Sequence, residues 1–165
     1  SYYAPVMNGA TIIKLLSSNP TSQHLFKGFL TPDTSIKLHN FPAIVIINTD
    51  KQTGPGKHWC VAFYVNKNLC EYFDPLGFPP KNETSGYDLT PKLFENCKKH
   101  VYFNKKQVQN IDAITCGHHC IYFCFLRSKN ISMTNILKLH YSNDTDKNDK
   151  VVEKFIEQCL NTTFI

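Results

Sequence analysis

The sequence predicts an α+β fold, with strands in the middle of the chain and helices around them. Three observations carry this reading. Residues 42–50, PAIVIINTD, form an apolar run rich in β-branched residues and read as a buried strand. HWCVAFYV (58–65) and LCEYFDP (69–75) read as two further strands, joined by Asn66-Lys67-Asn68 as a hairpin turn. Near the end of the chain, Val151, Val152, Phe155, Ile156, Cys159 and Leu160 fall on one face at helical spacing.

The other elements follow in order. GATIIKLLSS (9–18) reads as a short helix, stopped by Asn19-Pro20. QTGPGK (52–57) holds two Gly and a Pro and reads as a turn. GFPPKNETSGYD (77–88) reads as a loop. LTPKLFENCKK (89–99) looks helical, with Pro91 tolerated only in its first turn. HVYFN (100–104) fits a short strand. A helix runs from Cys116 to about Arg127. SMTNILKLHY (132–141) is another, with Ser132 as N-cap, and YSNDTDKND (141–149) is polar and loop-like.

Size and composition narrow the class. The chain has 165 residues, enough for one domain spanning 1–165 with a real core. Hydrophobic residues make up 42% and charged residues 19%, which favours a folded globule over disorder. A net charge of +5 permits an anionic partner without requiring one. No apolar run reaches the length of a membrane span, and the first residues lack the basic start and apolar centre of a signal peptide. The expectation is a monomer in a reducing, intracellular setting, not secreted. Seven irregularly spaced cysteines then read as free thiols, and the N-x-S/T sequons at Asn82, Asn130, Asn143 and Asn161 carry no meaning.

The chemistry concentrates in QVQNIDAITCGHHCIYFCF (107–125). A zinc knuckle is the first reading to weigh. On a helix Cys116 and Cys120 share a face while His118 and His119 point elsewhere, and no second ligand pair completes a site, so no metal is expected. Cys120 and Cys124 read as small buried hydrophobes. Cys116 differs, because it stands where loop becomes helix and a helix N-terminus stabilises a thiolate. Gly117 would leave room for a substrate carbonyl to approach. A reactive thiol needs a base and a group to orient it. His24, His39 and His140 lie in ordinary contexts. His58 opens a strand beside Trp59, which either covers the imidazole or belongs to the core. Asp74 ends the neighbouring strand, where the hairpin brings it beside His58; a turn-capping role is the alternative.

These residues resemble a known family. FKGFLTP (26–32), AIVIINTDKQTGPGKHW (43–59), YFDPLGF (72–78) and QNIDAITCGHHC (109–120) are similar, in order, to four motifs of the adenovirus-type cysteine endopeptidases, the adenain group. Relatives of that group occur in virophages and Maverick/Polinton-type elements, and SUMO-processing proteases are more distant. The resemblance implies a papain-like/adenain-like fold with a central mixed β-sheet flanked by helices. It implies Cys116 as nucleophile, His58 as general base, Asp74 as its orienting acid and Gln109 as oxyanion donor with the Cys116 backbone N–H. Gln107 is a rival for the last role, because the loop lacks the family's Gly-Pro. Asp74 also stands where mammalian adenoviruses commonly have Glu.

The implied function is virion maturation, by cleavage of capsid or core precursors at sites with small residues such as Gly. The implied setting is the virion and the infected cell's cytoplasm or nucleus. No cofactor is implied beyond an activating capsid-derived peptide and viral DNA. Cys97 is the candidate thiol for linking such a peptide, against the plainer reading of an ordinary surface or buried cysteine. Lys98-Lys99 and Lys105-Lys106 are candidate phosphate contacts, against the plainer reading of a solvated basic face. Two alternatives stay open: a ubiquitin-like-protein isopeptidase on the same scaffold, and a non-catalytic DNA-binding or interaction module.

Overall fold

The computed structural model describes residues 6–54 and 58–163. The end of the expected turn at 52–57 therefore lies outside the described residues, as do the first five residues. The chain begins with α1 (Gly9–Ser18), capped by the Asn8 side chain, which accepts from the Thr11 N–H at 2.9 Å. A five-stranded sheet follows, formed by β1 (Phe26–Leu30), β2 (Ala43–Asn48), β3 (Trp59–Asn66), β4 (Leu69–Phe73) and, after an excursion, β7 (His100–Phe103). The spatial order is the same as the chain order. β2, β3 and β4 are antiparallel neighbours, while β1 and β7 add in parallel at the two edges, so the sheet is mixed.

The excursion holds a small two-stranded sheet, β5 (Lys81–Asn82) with β6 (Tyr87–Asp88), and a short helix α2 (Thr90–Phe94). Three helices close the fold: α3 (Cys116–Ser128), α4 (Met133–Leu139) and α5 (Thr145–Thr163). The fold is thus α+β, with a central mixed sheet flanked by helices.

Strand alternation divides the core in two. Ile44, Ile46, Val61, Phe63 and Phe73 face α1, α3 and α5, and join Ile12, Leu16, Cys120, Phe123, Cys124 and Ile156 in one cluster. Ala43, Val45, Ile47, Cys60, Ala62, Tyr64, Cys70 and Tyr72 face the other way, against Leu89, Leu93 and Cys97. β2 is buried on both sides, which is why its sequence is apolar without alternation. Phe123 of α3 stacks on Phe73 of β4 with ring centroids 4.4 Å apart, and so seats the helix on the sheet.

Five elements differ from the sequence reading. β1 was no part of the strand reading. It adds to β2 with a bulge at Phe26/Gly28, where Gly28 takes a φ of 131° that only glycine adopts freely. β5 and β6 lie in what reads as plain loop. α2 stops at Phe94 instead of Lys99, because Asn96 turns aside to bridge the Ile36 carbonyl and the Leu38 N–H, and the Lys98 and His100 N–H groups donate to Lys67 and Asn68 carbonyls. α5 begins at Thr145, inside the polar 141–149 stretch, with the Asp144 side chain accepting from the Lys147 N–H.

Phe123→Ala is expected to cost about 3–5 kcal/mol of stability, because it empties the helix–sheet seat. Val151→Ala, at the edge of the apolar stripe of α5 and exposed there, contrary to the sequence reading, is expected to stay within about 0.5 kcal/mol. Urea denaturation of the two variants measures both.

Candidate active site

The hairpin of β3 and β4 does for His58 and Asp74 what strand pairing requires. His58 precedes β3, and its carbonyl accepts from the Thr49 N–H at 3.0 Å, which anchors it to the end of β2. Asp74 follows β4. Val61 pairs with Phe73, so the two side chains meet just beyond the paired ends. His58 Nε2 lies 2.6 Å from Asp74 Oδ1. The imidazole lies over a shallow cleft, and the carboxylate is fully buried.

Asp74 is held from three sides. Its backbone N–H donates to Asn104 Oδ1 at 2.9 Å and its carbonyl accepts from Asn104 Nδ2 at 2.6 Å. Its own Oδ1 also accepts from the Leu76 N–H at 2.8 Å. The turn that follows reaches the glutamine segment. The Pro75 carbonyl accepts from the Val108 and Gln109 N–H groups at 2.9 and 3.0 Å. Gly77 sits at φ 76°, and a Cβ there would lie 3.0 Å from the Lys105 carbonyl oxygen. The glycine of YFDPLGF thus lets the two segments touch.

Cys116 is the first residue of α3 and is half-buried. Its thiol is among the groups that raise the His58 pKa. His58 Nε2 is committed to Asp74, so Nδ1 is the nitrogen left for Cys116. Burial of the ring opposes its charge. The hydrogen bond to the Asp74 carboxylate outweighs that and holds His58 above the usual imidazole range. An imidazolium and a helix N-terminus then face one sulfur, and both stabilise negative charge.

His58 and Cys116 line two adjoining hollows. One, of about 310 Å³, also contains Thr49, Leu76, Phe78, Gln109, Ile111 and Ala113. The other, of about 440 Å³, runs past Trp59, Phe29, Met7 and Asp50. Of the two glutamines, Gln109 is buried and lines the first hollow, whereas Gln107 is exposed and its amide is turned back onto the Gln109 carbonyl at 2.8 Å. Gln109 Nε2 donates one hydrogen to the Ala113 carbonyl at 2.9 Å and keeps a second.

Three expectations need correction. Gly117 does not open a passage for substrate; a Cβ there would meet Met7 Cβ at 2.5 Å and Trp59 Cδ1 at 3.2 Å, so glycine is needed for the segment before α1 to pack on α3. Trp59 anchors that same segment, donating from Nε1 to the Met7 carbonyl at 2.9 Å and packing on Phe29. Cys97 is no surface thiol, since it is 1% exposed and its Sγ lies 3.0 Å from the His100 carbonyl. Lys106 is not a free phosphate contact; its Nζ donates to the Leu137 and Tyr141 carbonyls, at the end of α4. Lys98, Lys99 and Lys105 are exposed.

Among the described residues, the donor atoms close enough to share a cation are those of His58, Cys60 and Asp74, within 4.8 Å of one another. The CGHHC segment supplies no such group. Cys120 and Cys124 are fully buried, and burial pushes both thiols up. Burial also pushes the Cys60 thiol up to about 11, so it is a neutral neighbour of the dyad at pH 7. Asn104 and Cys60 escaped the sequence reading. Cys60 shares the strand parity of His58 and Asn104 follows β7 beside the Asp74 backbone, but neither carries a motif of its own.

His118 is buried, with no partner for Nδ1, and its pKa is pushed down to about 4 by burial and then by the neighbouring His119. The folded state therefore binds less proton than the unfolded state between about pH 6.5 and pH 4, and stability falls as the pH falls through that window. His118→Gln is expected to remove up to one proton from that slope, about 1.4 kcal/mol per pH unit. Thermal melts at pH 7, 5.5 and 4.5 test it; an unchanged slope contradicts it.

No family model matches the chain. A cysteine protease of African swine fever virus is 27% identical over 106 residues, covering 60% of this chain and 38% of the viral protein. The chain thus spans well under half the length of that relative. Among solved structures, a crystal structure of the African swine fever virus protease is 21% identical at a TM-score of 0.42, covering 68% of this chain and 42% of that one. ChlaDub1 of Chlamydia trachomatis is 17% identical at a TM-score of 0.47, covering 73% of this chain and 59% of that one.

Proposed function

We propose that this chain is a cysteine endopeptidase in which Cys116 is the nucleophile, His58 the general base and acid, Asp74 the orienting carboxylate and Gln109 an oxyanion donor. The observation that carries the reading is the convergence of the 2.6 Å His58–Asp74 pair and the thiol at the start of α3 on one cleft, with Gln109 in its wall. Similarity to a viral cysteine protease supports the same class of chemistry.

The thiol proton already rests on His58 Nδ1, giving a thiolate–imidazolium pair, while Asp74 accepts from Nε2–H and orients the ring. The Cys116 sulfur attacks the scissile carbonyl carbon, and the oxyanion accepts hydrogen bonds from the Cys116 N–H and the remaining Gln109 Nε2–H. The intermediate collapses, and the amine leaves with the proton from His58. Water, deprotonated by His58, hydrolyses the thioester and restores the thiol.

We further propose precursor proteins of a viral capsid or core as substrates, cut beside small residues such as Gly, with processing in the virion or infected cell. A capsid-derived peptide and DNA are candidate activators. The exposed Lys98, Lys99 and Lys105 are compatible with DNA, whereas the burial of Cys97 speaks against a disulfide to a peptide at that position.

Hydrolysis of fluorogenic peptides with Gly at the scissile bond, alongside ubiquitin-like C-terminal probes, tests the reading. Cys116→Ala is expected to abolish turnover, and Gln109→Ala to lower kcat by roughly 100- to 1000-fold. Turnover that survives Cys116→Ala would exclude the mechanism. Preference for ubiquitin-like probes would move the substrate class to isopeptide or ubiquitin-like conjugates.

A further inference from the structure

We propose that Asp149, near the start of α5, is a positioning residue that sets the oxyanion hole from behind; the inference rests on the cysteine-peptidase reading above. Asp149 is 6% exposed and lies outside every motif that pointed to the site. Its carboxylate accepts hydrogen bonds from three places. Thr115 Oγ1 donates to Oδ1 at 2.8 Å, and Thr115 immediately precedes Cys116. His119 Nε2 lies 2.8 Å from the same oxygen, one turn into α3. The Asn110 N–H donates to Oδ2 at 3.2 Å, and Asn110 immediately follows Gln109.

One buried carboxylate therefore grips the main-chain neighbours of both oxyanion donors. Its tautomer demand is consistent throughout. His119 donates from Nε2, which leaves Nδ1 to accept from the Tyr141 hydroxyl at 2.9 Å. Burial also holds His119 below the usual imidazole range, which keeps the ring neutral in this role. The same end of α5 grips the glutamine segment twice more. Asn148 Nδ2 donates to the Val108 carbonyl at 3.1 Å, and Asp146 Oδ1 accepts from Asn110 Nδ2 at 2.7 Å.

The arrangement is asymmetric in a useful way. Asp149 holds the residues beside Cys116 and Gln109, and its hydrogen bonds among the described residues go to neither His58 nor Asp74, which are fixed from β3, β4 and Asn104. Disturbing Asp149 should loosen oxyanion stabilisation and leave the thiol–imidazole pair intact. Two reactions at Cys116 separate these effects without knowledge of the natural substrate. Iodoacetamide alkylates by direct displacement: the S–C bond forms, iodide leaves, and no oxyanion arises. p-Nitrophenyl acetate acylates through a tetrahedral oxyanion: the thiolate's S–C bond forms, the proton stays on His58, and p-nitrophenolate leaves.

The experiment compares both rates at Cys116, read by peptide mapping, in wild type and Asp149→Asn. Asparagine keeps the shape but puts a donor where one of the N–H groups points. Acylation is expected to fall roughly tenfold or more, with alkylation within about twofold. Thr115→Val removes one of the three hydrogen bonds and should show a smaller fall in acylation alone; it carries the comparison if Asp149→Asn does not fold. Acylation unchanged in either variant, or both rates falling together, overturns the positioning role. Failure of the peptidase reading looks different: wild-type Cys116 would then react no faster than other cysteines and would ignore His58→Ala, which removes the inference with it.

Discussion

The hydrogen bond between His58 and Asp74 is the contact on which the rest of the site depends. It forms because two antiparallel strands end together, and it survives because Asp74 cannot move. Asn104 holds the aspartate's N–H and carbonyl at once. The carboxylate is fully buried, so its charge is stabilised by the imidazole and the Leu76 N–H and not by water. Removing the imidazole would leave that charge stranded. This ties the packing of the sheet to the ionisation of the ring, and the ring to the sulfur of Cys116.

A second constraint comes from the turn after β4. Its Pro75 carbonyl and Gly77 backbone lie against residues 105–109, so the segment that orients His58 also shapes the one that carries Gln109. On the far side, the start of α5 holds 108–110 through Asn148, Asp149 and Asp146. The glutamine loop is thus clamped between the sheet and the last helix. Neither clamp touches the sulfur, yet both fix where a developing oxyanion would find its donors.

Much of this was legible in the sequence, for definable reasons. The strands of the hairpin announce themselves by β-branched and aromatic alternation, and the register they impose puts His58 beside Asp74. The loop-to-helix change at Cys116 is equally plain. Gly117 was legible as a glycine but not as a packing glycine, because its neighbour Met7 comes from a segment over a hundred residues away. The same holds for Lys106, whose ammonium caps α4 from another part of the chain. For Cys97 the sequence leaves a linking thiol, a surface cysteine and a buried cysteine all open, and only its packing on the far face of the sheet shows that it is buried. Asp149 was hidden for a different reason. YSNDTDKND has the composition of a loop, and its Asp and Asn residues cap a helix and bind backbone instead of solvent.

The most direct test of the central claim is competitive labelling of the folded chain with substoichiometric iodoacetamide at neutral pH, followed by peptide mapping of all seven cysteines. Cys116 and Cys159 are the two that are not buried, and they serve as each other's control. The account predicts label concentrated on Cys116, and a marked fall in its rate in His58→Ala while Cys159 is unaffected. Label on Cys159 in preference to Cys116, or a Cys116 rate indifferent to His58, would contradict it.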